Sequence, residues 1–324
     1  MDPTPSDIQA ALCDAANAHG YPTTWGTPAL RAAISGWLDR ELTARVGADA
    51  ILPVIGTKEL VAWLPTLLGL TGEDTVVIPE VAYPTYDVGA RIAGARVVRS
   101  DDPEAVDGAA LVWLNTPSNP TGRVLSTSHL REVVRRARET GALVISDECY
   151  ITLAWDAEPV SLLAQSVCEG DHRGLLMVHS LSKRSSMAGY RFGFVAGDGG
   201  VVARLLEVRK HAGMIVPMPV QAAAMVAYGD DGHAREQRDR YAARRSALRP
   251  VLARQGFHVD HSEAGLYLWA TRGEPCWDTV AWLAERGILV APGDFYGPAG
   301  ARHVRIALTA TDERIAAGVA RLAG

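Results

Sequence analysis

Lys183 closes the run Ser180-Leu181-Ser182-Lys183, directly after the apolar segment Leu175-Leu176-Met177-Val178, and Arg191 follows eight residues later. A charge placed just past a buried strand calls for a use. A partly desolvated amine beside another cation loses proton affinity and becomes a nucleophile toward carbonyls. The serines and the arginine suit a phosphate. Together these residues predict a lysine that holds a phosphorylated aldehyde as a Schiff base, which is the chemistry of pyridoxal phosphate (PLP).

The ends of other apolar runs supply matching groups. Asp147, after Leu143-Val144-Ile145-Ser146, would keep a pyridine nitrogen protonated so that the ring acts as an electron sink. Read alone it is a capping or turn aspartate more often than a cofactor ligand. Asn119, in Asn115-Thr116-Pro117-Ser118-Asn119-Pro120-Thr121-Gly122, and Tyr150 are candidates to hydrogen-bond a ring hydroxyl. Their plain alternatives are a turn residue and a core tyrosine. The backbone N–H groups of Thr57 and Lys58 open a helix after Gly56 and suit the phosphate, with Ser180 and Arg191 completing the clamp. The GxxxxGK[ST] loop is absent, so no nucleotide-type phosphate loop is expected. Tyr83 is placed to stack on a ring, or to serve as a core aromatic. Arg305, a cation in the apolar stretch Val304-Arg305-Ile306, could bind a substrate carboxylate bidentately or form a structural ion pair. One ligand accounts for all of these residues.

Such groups converge only if strands carry them to one edge. Short apolar runs (51–55, 75–79, 95–99, 110–115, 143–147 and 175–180) alternate with helical stretches (58–70, 84–93 and 126–140). Runs such as Leu111–Asn115 are apolar nearly throughout, as in strands covered on both faces of a mainly parallel sheet. This predicts an α/β fold with helices on both faces of the sheet, and ligands beyond the carboxyl ends of its strands. Helices are expected at 7–18 and 28–45. The span 230–254, with seven arginines, reads as a long solvated helix joining two domains. A smaller α+β region follows, with strands near 265–269 and 303–308 and a helix near 280–286. The expected division is a short N-terminal segment (1–20, packing with the small domain), a large PLP-binding domain (21–235) and a small C-terminal domain (236–324).

The chain has 324 residues, 48% hydrophobic and 21% charged, with a formal net charge of -5. That balance argues against a nucleic-acid partner. No apolar run is long enough to span a membrane, and no basic-then-apolar leader is visible, so no membrane partner and a cytoplasmic location are expected. Cys13, Cys149, Cys168 and Cys276 lack metal-site or disulfide spacing, which predicts free thiols and no metal.

These motifs resemble those of the class I/II aminotransferases of PLP fold type I, over nearly the whole chain. The resemblance implies that Lys183 in SLSK is the Schiff-base lysine. Asp147 and Tyr150 in SDECY would be the pyridinium and ring-hydroxyl partners, and Asn119 a second hydroxyl partner that also faces substrate. Tyr83 would be the stacking aromatic, with Thr57, Lys58, Ser180 and Arg191 as the phosphate site and Arg305 as the α-carboxylate ligand. Tyr21, in GYPTTWGTPALR, matches a tyrosine that reaches the phosphate from a neighbouring subunit, which implies a homodimer with a shared active site. Segments such as PVIGTKELVAWLPTLLGL, KHAGMIVPMPVQAAA and ILVAPGDFYGP resemble actinobacterial N-succinyldiaminopimelate aminotransferases, which act in lysine and diaminopimelate biosynthesis. Transamination of N-succinyl-L,L-diaminopimelate with 2-oxoglutarate is therefore expected. Alternatives are an aminotransferase for aspartate or aromatic amino acids, a PLP-dependent β-lyase, or a non-catalytic PLP-binding protein. Family members carry an N-terminal arm with a Gly-x-Pro segment. The start at Met1-Asp2-Pro3-Thr4-Pro5 sets the expectation that part of this lid is absent. Arg123, Arg184 and Lys210 are available for distal carboxylates, and are otherwise surface charges.

Overall fold

The computed structural model describes residues 2–324. Its larger body contains β1 (Ile51–Val54), β2 (Thr75–Ile78), β3 (Arg96–Arg99), β4 (Leu111–Asn115), β5 (Leu143–Asp147), β6 (Leu175–Ser180) and β7 (Gly193–Gly197). Its helices are α1 (Ser6–Asp14), α2 (Pro28–Leu42), α3 (Thr57–Leu67), α4 (Thr85–Ile92), α5 (Thr127–Thr140), α6 (Gln165–Cys168), α7 (Leu181–Arg184), α8 (Gly199–His211) and α9 (Met218–Gly229). The strands form one sheet in the order β1-β7-β6-β5-β4-β2-β3. β2 to β6 pair in parallel, whereas β7 is antiparallel to both β1 and β6. β4 and β6 are buried along their whole length, as strands covered on both faces must be. One face packs on α2, α5 and α9 through Ile34, Trp37, Val133 and Tyr228. The other packs on α3, α4 and α8 through Leu60, Leu64, Tyr86 and Leu205. Each such aliphatic side chain, fully buried, contributes about 1.5–3 kcal/mol.

A long helix, α10 (Gly232–Arg254), leads from the larger body into a smaller one, and the expected boundary at 235/236 lies within it, as does the expected joining helix at 230–254. The smaller body holds β8 (His258–Asp260), β9 (Tyr267–Thr271), β10 (Ala291–Pro292) and β11 (Val304–Ala307), with α11 (Cys276–Glu285) and α12 (Asp312–Ala323). Its strands are all antiparallel, in the order β10-β11-β9-β8.

Several expectations are corrected. α2 stops at Leu42 because Thr43 turns left-handed (φ 51°). α3 ends at Leu67, soon after Pro65, whose ring removes a backbone donor from the helix. α10 is not a solvated rod: Tyr241, Leu248, Val251 and Leu252 are buried, and so are Arg244 and Arg245. Arg244 pairs with Asp2 (2.6 Å) and Asp312 (2.7 Å), and Arg245 with Asp156, which is how two cations are tolerated inside. The N-terminal segment divides its contacts. Asp2 reaches Arg244, but Ile8 of α1 is buried in the larger body's core. Arg184 is no surface charge: it is 1% exposed, pairs with Asp231, and donates to the Ala227 carbonyl at 2.6 Å.

Candidate active site

β1, β5 and β6 run parallel to one another, so the residues following their carboxyl ends share one edge of the sheet. β7 explains how Arg191 joins them. Because it is antiparallel, its amino end lies at that same edge, with Gly193 opposite both Val54 and Ser180. The result is a cleft of about 260 Å³ lined by Thr57, Lys58, Tyr83, Tyr86, Asn119, Asp147, Cys149, Tyr150, Ser180, Ser182, Lys183, Arg191, Tyr267 and Arg305, among others. Ten of the eleven cofactor and α-carboxylate candidates from sequence therefore meet there. Tyr21 does not: its side chain is fully exposed, beside Ala15, His19 and Met225. Arg123, Arg184 and Lys210 also lie outside the cleft lining, and Arg123 pairs with Asp101 (3.2 Å).

Lys183 sits on α7, a single turn that starts as soon as β6 ends. Burial lowers its proton affinity below that of an ordinary lysine, and the positive charges of Arg305 and Arg191 lower it further. Asp147 is buried, and burial raises its pKa against the opposing hydrogen bonds from Cys149 and Tyr86. Its Oδ2 accepts from the Tyr86 hydroxyl at 2.8 Å, and its Oδ1 from the Cys149 N–H at 3.2 Å. Both of these donors are neutral, so neither brings the buried carboxylate a counter-charge at the cleft. A protonated ring nitrogen would supply one.

The Tyr150 hydroxyl lies 3.2 Å from that of Tyr267, and burial raises its pKa well above the usual phenol value, keeping it a donor. Asn119 Oδ1 accepts from Arg305 Nη1 at 3.0 Å. The Arg305 guanidinium lies over the Tyr267 ring (4.1 Å) and also faces Tyr296 (5.2 Å). Its Nε is buried and has no hydrogen-bond partner, which leaves a donor for an incoming anion.

At the other end of the cleft, Gly56 precedes α3 at φ 78°, and a Cβ there would stand 2.4 Å from Arg191 Nη2. Only glycine lets this arginine close over the start of the helix, where unpaired N–H groups favour an anion. Ser180 Oγ lies 2.7 Å from Ser182 Oγ and accepts from the Ser182 N–H. These donors, the buried Asp147 and the desolvated Lys183 fit the phosphate, ring nitrogen and aldehyde of PLP.

Tyr86, Cys149 and Tyr267 line the same cleft, although their sequence context does not single them out. Tyr86 follows Tyr83 by three residues, and its ring stacks on Trp113 at 4.9 Å. That spacing was the available signal. Tyr267 had none, because its partners come from β11 and from the turn after β5.

The family model "Aminotransferase class I and II" matches residues 2–322. The chain belongs to the class I and II aminotransferases. Aminotransferases of this class depend on PLP, and so does this one. It is 65% identical to "Probable aminotransferase Rv1178" of Mycobacterium tuberculosis, over 99% of this chain and 78% of that protein. It is 58% identical to the 4-dedimethylamino-4-oxo-anhydrotetracycline transaminase OxyQ of Streptomyces rimosus, over 99% of this chain and 90% of that one. Among solved structures, a "probable N-succinyldiaminopimelate aminotransferase" from Thermus thermophilus superimposes with a TM-score of 0.90 at 27% identity, covering 99% and 91% of the two chains. The fold type I architecture expected from sequence is thereby established.

Proposed function

We propose that this aminotransferase moves an amino group between glutamate and the oxo-acid partner of N-succinyl-L,L-diaminopimelate, as a cytoplasmic homodimer. The observation that carries the reaction is one cleft holding both a desolvated amine, Lys183, and a buried guanidinium donor without a partner, Arg305 Nε. When bound, PLP supplies an aldehyde to capture the amino group and a ring that withdraws charge from the substrate's Cα. Every other task falls to the chain. Thr57 and Lys58 N–H, Ser180 and Arg191 hold the phosphate, and Tyr83 covers a ring face. Asp147 keeps a proton on the ring nitrogen, and Tyr150 and Asn119 hold the ring hydroxyl. Arg305 orients the substrate α-carboxylate, steadied by Asn119 Oδ1. The Lys183 amine then takes the Cα proton and returns it on the other side of the transfer, a role its lowered proton affinity suits.

The substrate reading is supported by the likeness of the three long segments to succinyldiaminopimelate aminotransferases and by the similar Thermus structure. A second reading has its own observation. The 58% identity to a transaminase of a tetracyclic ketone favours a bulky cyclic oxo acceptor in place of a linear one.

The test begins with purified protein, which should be yellow. Lys183→Ala should lose the cofactor's lysine-bound absorbance and lower turnover with glutamate by at least about a thousandfold. Full activity in that variant would sink the assignment. An acceptor panel containing the oxo partner of N-succinyl-L,L-diaminopimelate and a tetracyclic ketone then decides between the substrates. Release of pyruvate and ammonia from a cysteine conjugate would instead reveal a β-lyase.

A further inference from the structure

Tyr267 lies where the two halves of the cleft meet. It is on β9 opposite Ala307 of β11, and Arg305 of β11 is opposite Trp269, so Tyr267 and Arg305 are diagonal cross-strand neighbours. That diagonal brings the guanidinium to 4.1 Å from the ring centre. The hydroxyl of the same ring reaches the Tyr150 hydroxyl at 3.2 Å, and both tyrosines are buried. One side chain from the small body thus touches the carboxylate ligand and the partner of the cofactor's ring hydroxyl.

We propose that Tyr267 is a positioning residue with two separable actions, a conclusion that rests on the site assignment above. Its ring fixes the plane of Arg305, limiting the guanidinium to orientations that present Nη and Nε together. Its hydroxyl sets the donor strength of Tyr150. A phenol has one proton, so a Tyr150 that donates to the cofactor's ring oxygen must accept from Tyr267. Accepting that bond polarises the Tyr150 O–H and strengthens its donation. Without it, more negative charge stays on the ring oxygen, and the proton nearest that oxygen is held more firmly.

Two variants separate the actions. Tyr267→Phe keeps the ring and removes the hydroxyl. The KM for glutamate should stay within about twofold of wild type, since the stacked ring is retained. The pH midpoint of the bound cofactor's absorbance change, measured without substrate, should rise by about half a unit or more. Tyr267→Leu removes the ring and should raise the KM for glutamate about fivefold or more, with a smaller change in kcat. A wild-type midpoint in Tyr267→Phe, or a wild-type KM in a folded Tyr267→Leu, overturns the proposal. If melting curves show Tyr267→Leu unfolded, the midpoint in Tyr267→Phe decides alone. The two levels fail differently. Turnover retained in Lys183→Ala sinks the enzyme assignment, whereas an inactive Lys183→Ala with an unshifted Tyr267→Phe sinks only the role of Tyr267.

Discussion

Arg305 shows how much chemistry one residue acquires from its surroundings. In sequence it is a cation in an apolar strand, equally suited to a structural ion pair. In the structure no carboxylate pairs with it among the described residues; Asn119 takes one nitrogen, and the Nε donor is unused. A carboxylate held by a planar fork of donors loses most of its geometry when the fork becomes a single ammonium. Arg305→Lys should therefore raise the KM for glutamate roughly ten- to a hundredfold, with kcat reduced less, in steady-state kinetics. An unchanged KM would return Arg305 to a structural role. The serines and Lys183 are legible because they follow closely on an apolar run, and together with the other strand ends they point to one ligand. Tyr86 and Tyr267 are not, since their importance lies in partners distant in sequence.

Glu148 carries an element-scale consequence. It is buried beside Asp147 at the end of β5, and its Oε1 accepts from the Leu162 N–H at 2.8 Å, tying the strand to the turn before α6. Oε2 has no partner. Burial raises its pKa from 4.5 to about 7. The folded protein therefore keeps a proton that the unfolded chain releases between those values. The stabilisation is complete below the unfolded value and is lost as pH rises through about 7. Glu148→Gln cannot ionise, so it should escape this loss. Between pH 5 and 8 the wild type should lose roughly 2–3 kcal/mol more stability than the variant, measured by chemical denaturation. Parallel pH profiles would contradict the assignment. At this scale the alternating strands and helices are legible, because periodicity and turn residues are local. Helix ends are less so, and α10 reads as solvated because its arginines find carboxylates only in the folded chain.

For the whole molecule, the position of Tyr21 is the sharpest clue. Its side chain is entirely exposed and lies outside the cleft of its own chain, although the family motif places this tyrosine at a cofactor phosphate. The proposed homodimer, in which a second copy supplies this tyrosine, would reconcile the two. Light scattering should give twice the chain mass. Tyr21→Ala should lower activity at least about tenfold, and Lys183→Ala alone should be inactive. Mixing and equilibrating the two variants should then restore roughly a quarter of wild-type activity, because half the dimers are mixed and each has one intact site. A mixture no more active than its components would refute the shared site.

The chemistry of this protein was determined largely by the sequence itself. A lysine, an aspartate, an asparagine and a helix-opening threonine each follow a local strand signal, and strand ends in such folds are where ligands sit. Tertiary structure decided the rest. The antiparallel turn of β7 brought Arg191 back over Gly56, the β9–β11 register put Tyr267 beneath Arg305, and α10 became half-buried by pairing its arginines. The physical reason is the same in each case. Patterning along the chain reports which face a residue turns inward, whereas a counter-charge, a stacking ring or a hydrogen-bond partner is supplied by segments that meet only on folding.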